Sequence, residues 1–193
     1  MQKDENERIK RIYDIRKDNA ISKRYSLFNI ANLFIVQRRE YELIDAIKRQ
    51  GVISIEDKKI LDTGCGIGNE LRNFVRYGAK PENLYGVDIL LDRIECAKSI
   101  SPNIEFRCDN ASSLPYESEY FDIVVQFTVF TSIIDIHLKE SIASEMLRVL
   151  KSEGIILWYD FHVDNPKNPD VKGIEKKEIY KLFPDCEIYL DRI

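Results

Sequence analysis

The chain has 193 residues, 44% hydrophobic and 32% charged, which suits one globular domain and excludes a disordered polymer. Its formal charge of −4, from 29 basic and 33 acidic side chains, leaves no footprint for broad nucleic-acid binding. The four cysteines show no C-x-x-C spacing, so no metal site is expected and a reducing, cytoplasmic setting is.

No apolar run reaches the roughly 18 residues of a membrane span, and no signal-peptide pattern opens the chain. A soluble protein with no membrane partner is the expectation. In the first 24 residues basic side chains outnumber acidic ones, which reads as a solvated helix face. Ile9, Ile12, Tyr13 and Ile15 fall at amphipathic spacing within 5–17 and predict a first helix. Asn29 is placed to cap a second, running through Leu33, Val36, Leu43, Ile44 and Ile47 and ending at Gly51. Residues 1–53 therefore read as a helical cap on a single domain whose α/β core is 54–193.

From residue 59 short apolar runs alternate with amphipathic segments. Strands are predicted at 59–63, 84–88, 104–108, 121–127, 154–161 and 186–190. Helices are predicted at 68–77, 91–99, about 137–150 and 175–182. Strands separated by helices imply right-handed βαβ units, hence an α/β fold: a doubly wound, mostly parallel sheet with helices on both faces. Cys96 and Cys108 are expected to be buried thiols of that core.

The segment Ile60-Leu61-Asp62-Thr63-Gly64-Cys65-Gly66-Ile67-Gly68-Asn69 takes a strand through a glycine turn into a helix. Such a turn exposes bare backbone and unpaired helix N–H groups to a ligand. A dinucleotide fingerprint, G-x-G-x-x-G, requires its third glycine where Asn69 stands. Asp62 also precedes the first glycine by two residues; a carboxylate there repels a pyrophosphate and attracts an ammonium. S-adenosyl-L-methionine carries an ammonium and no phosphate, so it is favoured over a nicotinamide cofactor.

Asp62 to Gly68 resembles the first motif of class I S-adenosylmethionine-dependent methyltransferases, and the order of elements over 55–192 is similar to theirs. The resemblance implies a Rossmann-like fold, S-adenosyl-L-methionine as cofactor and S-adenosyl-L-homocysteine as product. It implies that Asp62, Gly64, Cys65 and Gly66 form the loop beneath the cofactor. Asp88 accepts from the ribose hydroxyls, as two carboxylate oxygens suit a vicinal diol, and Ile89 packs on the adenine. Asp109 accepts from the adenine amine, and the Asn110 backbone meets a ring nitrogen. Gln126 and Phe127 lie beside the methionine half. Cys65 reads as a loop filler rather than a nucleophile, Asp122 as structural and His137 as part of a helix start.

The acceptor end is expected after the fourth and fifth strands, at Thr128, Thr131, Tyr159, Asp160 and His162. Asp160 or His162 is the candidate base, each with an ordinary loop role as its alternative. Phe127, Phe130, Tyr159 and Phe161 serve equally as walls for a cationic cofactor or as core. Arg24 to Asn29, and Trp158 to Phe161 leading to Asn165-Pro166-Lys167-Asn168-Pro169, resemble bacterial enzymes associated with polysaccharide or glycan modification. That likeness implies a small-molecule acceptor, glycan or sugar-related, with Tyr25 in a lid. The family's sheet has a seventh strand that this sequence lacks. The chain is thus expected to be shortened at its C-terminus, or its sheet edge completed otherwise, including by a second copy in a homodimer. A catalytically silent binding module of the same fold is the alternative function.

Overall fold

The computed structural model describes residues 2–16, 26–166 and 168–193. Two helices come first, α1 (Gln2–Arg16) and α2 (Ile30–Arg49). Asn29 caps α2 as its sequence position predicts, its Oδ1 accepting the Ala31 N–H at 3.1 Å. Gly51, at φ +75, follows the last turn and donates to the Lys48 carbonyl at 2.9 Å. The expected lid residue Tyr25, with Arg24, and the loop residue Lys167 lie outside the described residues.

The chain then alternates: β1 (Ile60–Thr63), α3 (Asn69–Arg76), β2 (Leu84–Asp88), α4 (Leu91–Ile100), β3 (Glu105–Cys108), β4 (Phe121–Phe127), α5 (Ile136–Val149), β5 (Leu150–Tyr159) and α6 (Lys176–Leu182). Every strand pairing is parallel and the sheet order is β3-β2-β1-β4-β5. After β3 the chain returns across the sheet to lay β4 on the far side of β1. A crevice opens at such a switch point, at the carboxyl ends of β1 and β4, and ligands of open α/β sheets bind there.

Strand side chains alternate between two cores, as a sheet covered on both faces requires. Ile60, Leu84, Ile123, Val125 and Leu157 point to one face, where Leu43 and Ile47 of α2, Leu71 and Phe74 of α3 and Ile94 of α4 cover them. Leu61, Tyr85, Val87 and Val124 point to the other, packed by Ile142, Ala143 and Met146 of α5 and Ile179 of α6. Phe121 joins this second face out of phase because the β4–β5 register shifts between Phe121 and Ile123.

Three expectations need correction. Residues 186–190 are not a strand. Cys186, Ile188 and Leu190 do pack on the core at period two, but among the described residues their backbone has no ladder partner. A cavity of about 1340 Å³ separates this segment from the outer edge of β5, and among the described residues no strand pairs with that edge. Cys108 is exposed because β3 is the opposite edge strand, with only Phe106 turned inward, and Cys96 lies on the outer side of α4. The fifth strand begins earlier than its glycine suggested, at Leu150, directly where α5 ends.

Asp122 is structural, as expected: at the amino end of β4 it accepts the Lys59 N–H at 2.9 Å and pairs with Lys151 at 3.0 Å. His137 sits in the first turn of α5, its N–H bonded to the capping Asp135 at 2.9 Å.

Candidate active site

The glycine turn between β1 and α3 is held against β2. The N–H groups of Gly64 and Cys65 both donate to the Val87 carbonyl, at 2.7 and 3.0 Å. Gly64 adopts φ +81, and a Cβ added to it would lie 2.3 Å from Val129 Cγ2. Gly64→Ala therefore combines left-handed strain of about 1–2 kcal/mol with a clash against a cleft wall. We expect a lower melting temperature and weakened cofactor binding, read by thermal melts and calorimetry. Gly66→Ala should do less harm, since its nearest neighbour is the end of the Arg93 side chain at 3.5 Å.

Asp88, at the end of β2, is buried and organises the turn from below. Its Oδ2 accepts the Gly66 N–H at 2.8 Å and its Oδ1 the Leu90 N–H at 2.9 Å. Burial raises its carboxyl above the usual range, against the opposing pull of these two bonds. Asp62 is also buried, yet the described residues give its carboxylate no hydrogen bond or ion pair. Burial first, and the nearby Glu70 and Asp88 charges next, push its carboxyl well above the ordinary value of 3.8, while Arg39 draws it down. Burial likewise raises the Cys65 thiol, which fits a filler and not a nucleophile.

These strand ends open on a cleft of about 130 Å³. Gly64, Asp88, Ile89, Asp109, Asn110 and Phe127 all line it, so six of the expected cofactor residues meet in one place. Asp62, Cys65, Gly66 and Gln126 stand behind this lining. Gln126 is fully buried and donates to Asp160 at 3.1 Å, while its Oε1 has no partner. Thr128 turns the chain at φ +58, a conformation that β-branched residues avoid, as β4 enters the cleft wall.

Asp160 and His162 lie elsewhere, along the wide groove beside β5. Asp160 is enclosed by donors: the Thr131 N–H at 3.1 Å, the Thr131 hydroxyl at 2.6 Å, Gln126 and the Trp158 indole at 2.8 Å. His162 is exposed and meets Arg192 at 3.1 Å. Of the four aromatics, Phe130 belongs to the core and Phe161 is half exposed. Phe127 and Tyr159 meet edge to face at the carboxyl ends of β4 and β5.

Two contributors come from the helical region. Asn6, Ile9 and Tyr13 of α1 line the cleft. Glu5 fastens that helix, accepting Arg8 Nε at 2.8 Å and the Ile134 N–H at 2.7 Å, while Arg8 donates to the Ser132 carbonyl at 2.7 Å. The Tyr13 ring lies 4.3 Å from the Arg93 guanidinium. From α2, Arg39 pairs with Glu70 at the start of α3 and stacks over Phe127 and Tyr159, at 5.2 and 5.3 Å from the ring centroids. The amphipathic pattern of 5–17 signalled the apolar face of α1. Nothing local signals Arg39, Glu70 or Arg93, whose partners are remote in sequence.

The Glu5 latch makes a testable device. Arg8 holds the Glu5 carboxyl below its ordinary value of 4.5, so the latch is at full strength above that value. It is lost as pH falls through the lowered folded value. Glu5→Gln should speed amide exchange in α1 and weaken cofactor binding by roughly threefold to tenfold, the net worth of about one ordinary hydrogen bond.

The residues of the cleft fit S-adenosyl-L-methionine: carboxylates stand at three adjacent strand ends, one of them buried with no ion pair among the described residues, and Arg93 is the one basic residue among the described residues that line the cleft. Comparison with known proteins agrees. The chain is 31% identical over 110 residues to a ubiquinone/menaquinone biosynthesis C-methyltransferase of Campylobacter jejuni, covering 55% of this chain and 46% of that protein. It is 32% identical over 109 residues to a ubiquinone biosynthesis O-methyltransferase of Bartonella quintana, covering 54% and 42%. The match thus spans less than half the length of each of these curated relatives. A solved SAM-dependent methyltransferase of Methanosarcina mazei shares the fold, with a TM-score of 0.61, 24% identity, and 71% of this chain and 82% of that one covered. Residues 61–158, from the strand that leads into the glycine turn to the end of β5, match the methyltransferase domain family over just over half of the sequence, and the chain belongs to that family.

Proposed function

We propose that this chain transfers a methyl group from S-adenosyl-L-methionine to a small-molecule acceptor. The observation that carries the reading is Asp62: a buried carboxylate that pairs with no cation among the described residues, two residues before the glycine turn. Such a group is costly until a cation arrives, and the cofactor's ammonium is that cation. Gly64 and Gly66 supply bare backbone beneath it, and Cys65 fills the turn. Asp88 keeps lone pairs beyond its two backbone bonds for the ribose diol. Ile89, Asp109 and Asn110 take the adenine, while Gln126 and Phe127 border the methionine half.

When bound, the cofactor supplies a methyl carbon on a good leaving sulfur; the acceptor's lone pair forms the new bond as the carbon–sulfur bond breaks. The protein's work is to align the two and exclude water. Phe127 and Tyr159, held by Arg39, wall the acceptor side, and α1 closes the cleft. Asp160, its oxygens already engaged by four donors, is a positioning residue for Gln126 and Thr131 rather than a base. His162, exposed on the separate groove with its Nε2 against Arg192, is left as the candidate base only for an acceptor that reaches that groove.

Small molecules are the acceptor class because the chain is acidic overall, and because the curated relatives are named for quinone biosynthesis. A glycan or sugar acceptor is the narrower version of the same proposal. Calorimetry followed by transfer of a labelled methyl group to panels of phenols, quinols and sugars tests it. S-adenosyl-L-methionine and S-adenosyl-L-homocysteine should bind and NADH should not. NADH binding in place of the other two would overturn the reading, and binding without turnover on any acceptor would favour a silent module.

A further inference from the structure

At its methionine end S-adenosyl-L-methionine is a zwitterion, and Asp62 answers only the ammonium. The carboxylate hangs on the same carbon, so it lies beside that ammonium and calls for a cationic donor of its own. Two basic residues near the cleft are placed for other work. Arg93 stands at the ribose end, where its charge reaches Asp88 and its guanidinium lies on the Tyr13 ring. Arg8 is engaged by Glu5, through two bonds of 2.8 and 2.7 Å, and by the Ser132 carbonyl.

Arg39 stands on the methionine side instead. Its guanidinium lies 5.2 Å from the centroid of Phe127, which lines the cleft, and its charge reaches Asp62. The side chain is 18% exposed, so little water screens it. Glu70, in the first turn of α3, holds it through Nη2; among the described residues Nε and Nη1 have no hydrogen-bond partner. A guanidinium fixed at one corner and open at the others is a fork for a carboxylate. We propose that Arg39 receives the carboxylate of the cofactor's methionine end, a role that rests on S-adenosyl-L-methionine being the ligand. Charges then alternate from Asp62 through ammonium and carboxylate to Arg39 and Glu70, and each buried charge gains an opposite neighbour. A residue that merely clasped α2 to α3 would be indifferent to that carboxylate.

Decarboxylated S-adenosylmethionine, which keeps the nucleoside, the sulfonium and the ammonium, separates the two roles by calorimetry. Wild type should bind S-adenosyl-L-methionine roughly tenfold or more tighter than this analogue, the worth of a charged hydrogen bond. In Arg39→Met that preference should fall to near parity, through weaker binding of the cofactor and not of the analogue. Arg39→Lys, which keeps the charge but not the fork, should retain an intermediate preference and serves alone if the methionine variant does not fold. Equal loss of both ligands in the variants, a preference they leave intact, or one that Arg93→Met abolishes instead, would overturn the proposal. So would wild type that binds both ligands equally, whereas wild type that binds neither removes the cofactor reading itself and this role with it.

Discussion

Replacing Asp62 with asparagine should weaken S-adenosyl-L-methionine binding by roughly 10- to 100-fold and, in the same protein, raise the melting temperature of the cofactor-free state. The first effect is the loss of a charged acceptor for the ammonium, worth about 1.5–3 kcal/mol. The second follows from burial. The carboxyl ionises near 3.8 when the chain is unfolded and only well above that when folded. As pH rises from 3.8 the unfolded state sheds its proton first, so wild-type stability falls until the folded pKa is passed and the penalty is complete.

Asparagine has no charge to bury and avoids that penalty, so its advantage is full above the raised folded pKa and shrinks as pH falls from there toward 3.8. Binding carries the same signature. The ammonium favours the ionised carboxylate, so wild-type affinity should fall as pH drops below the raised pKa, with proton release on binding, and the variant should show neither. Calorimetry in buffers of different ionisation enthalpy, with melts across pH, reads all three. A variant that binds as tightly as wild type would remove Asp62 from the site.

Much of this was legible in the sequence, and the reason is that it was local. The strand before Gly64, the positive-φ glycine turn and the carboxylates closing the next two strands are encoded by adjacent residues. What escaped depended on remote partners. Residues 186–190 show a strand's alternation and do turn Cys186, Ile188 and Leu190 inward, but a strand is defined by its neighbour, and none among the described residues pairs with them. Cys108 looked buried because its strand is apolar at the ends, yet edge position decides exposure. Arg39 reads as a charge on a solvated helix; its role between Phe127, Tyr159 and Glu70 appears only once α2 lies beside the strand ends. Likewise the four donors around Asp160 come from three segments, which no local pattern could announce.

Asp88→Ala should match the Asp62 variant in one measurement and oppose it in the other. Both oxygens of Asp88 hold backbone N–H groups, of Gly66 and Leu90. Alanine leaves both donors without an acceptor beside the cleft, at about 1–3 kcal/mol, and in a domain of this size each kcal/mol lowers the melting temperature by about 2–4 °C. Loss of the ribose contact and of the turn's support should weaken the cofactor by about 10- to 100-fold or more. Asparagine should not restore the loop, because its amide would set a donor against one of the two N–H groups. Both Asp88 variants therefore lose stability and affinity together, whereas Asp62→Asn loses affinity while gaining stability. That contrast separates a carboxylate that builds the turn from one that waits for a cation, and an Asp88→Ala protein that melts like wild type would show that the turn stands without it.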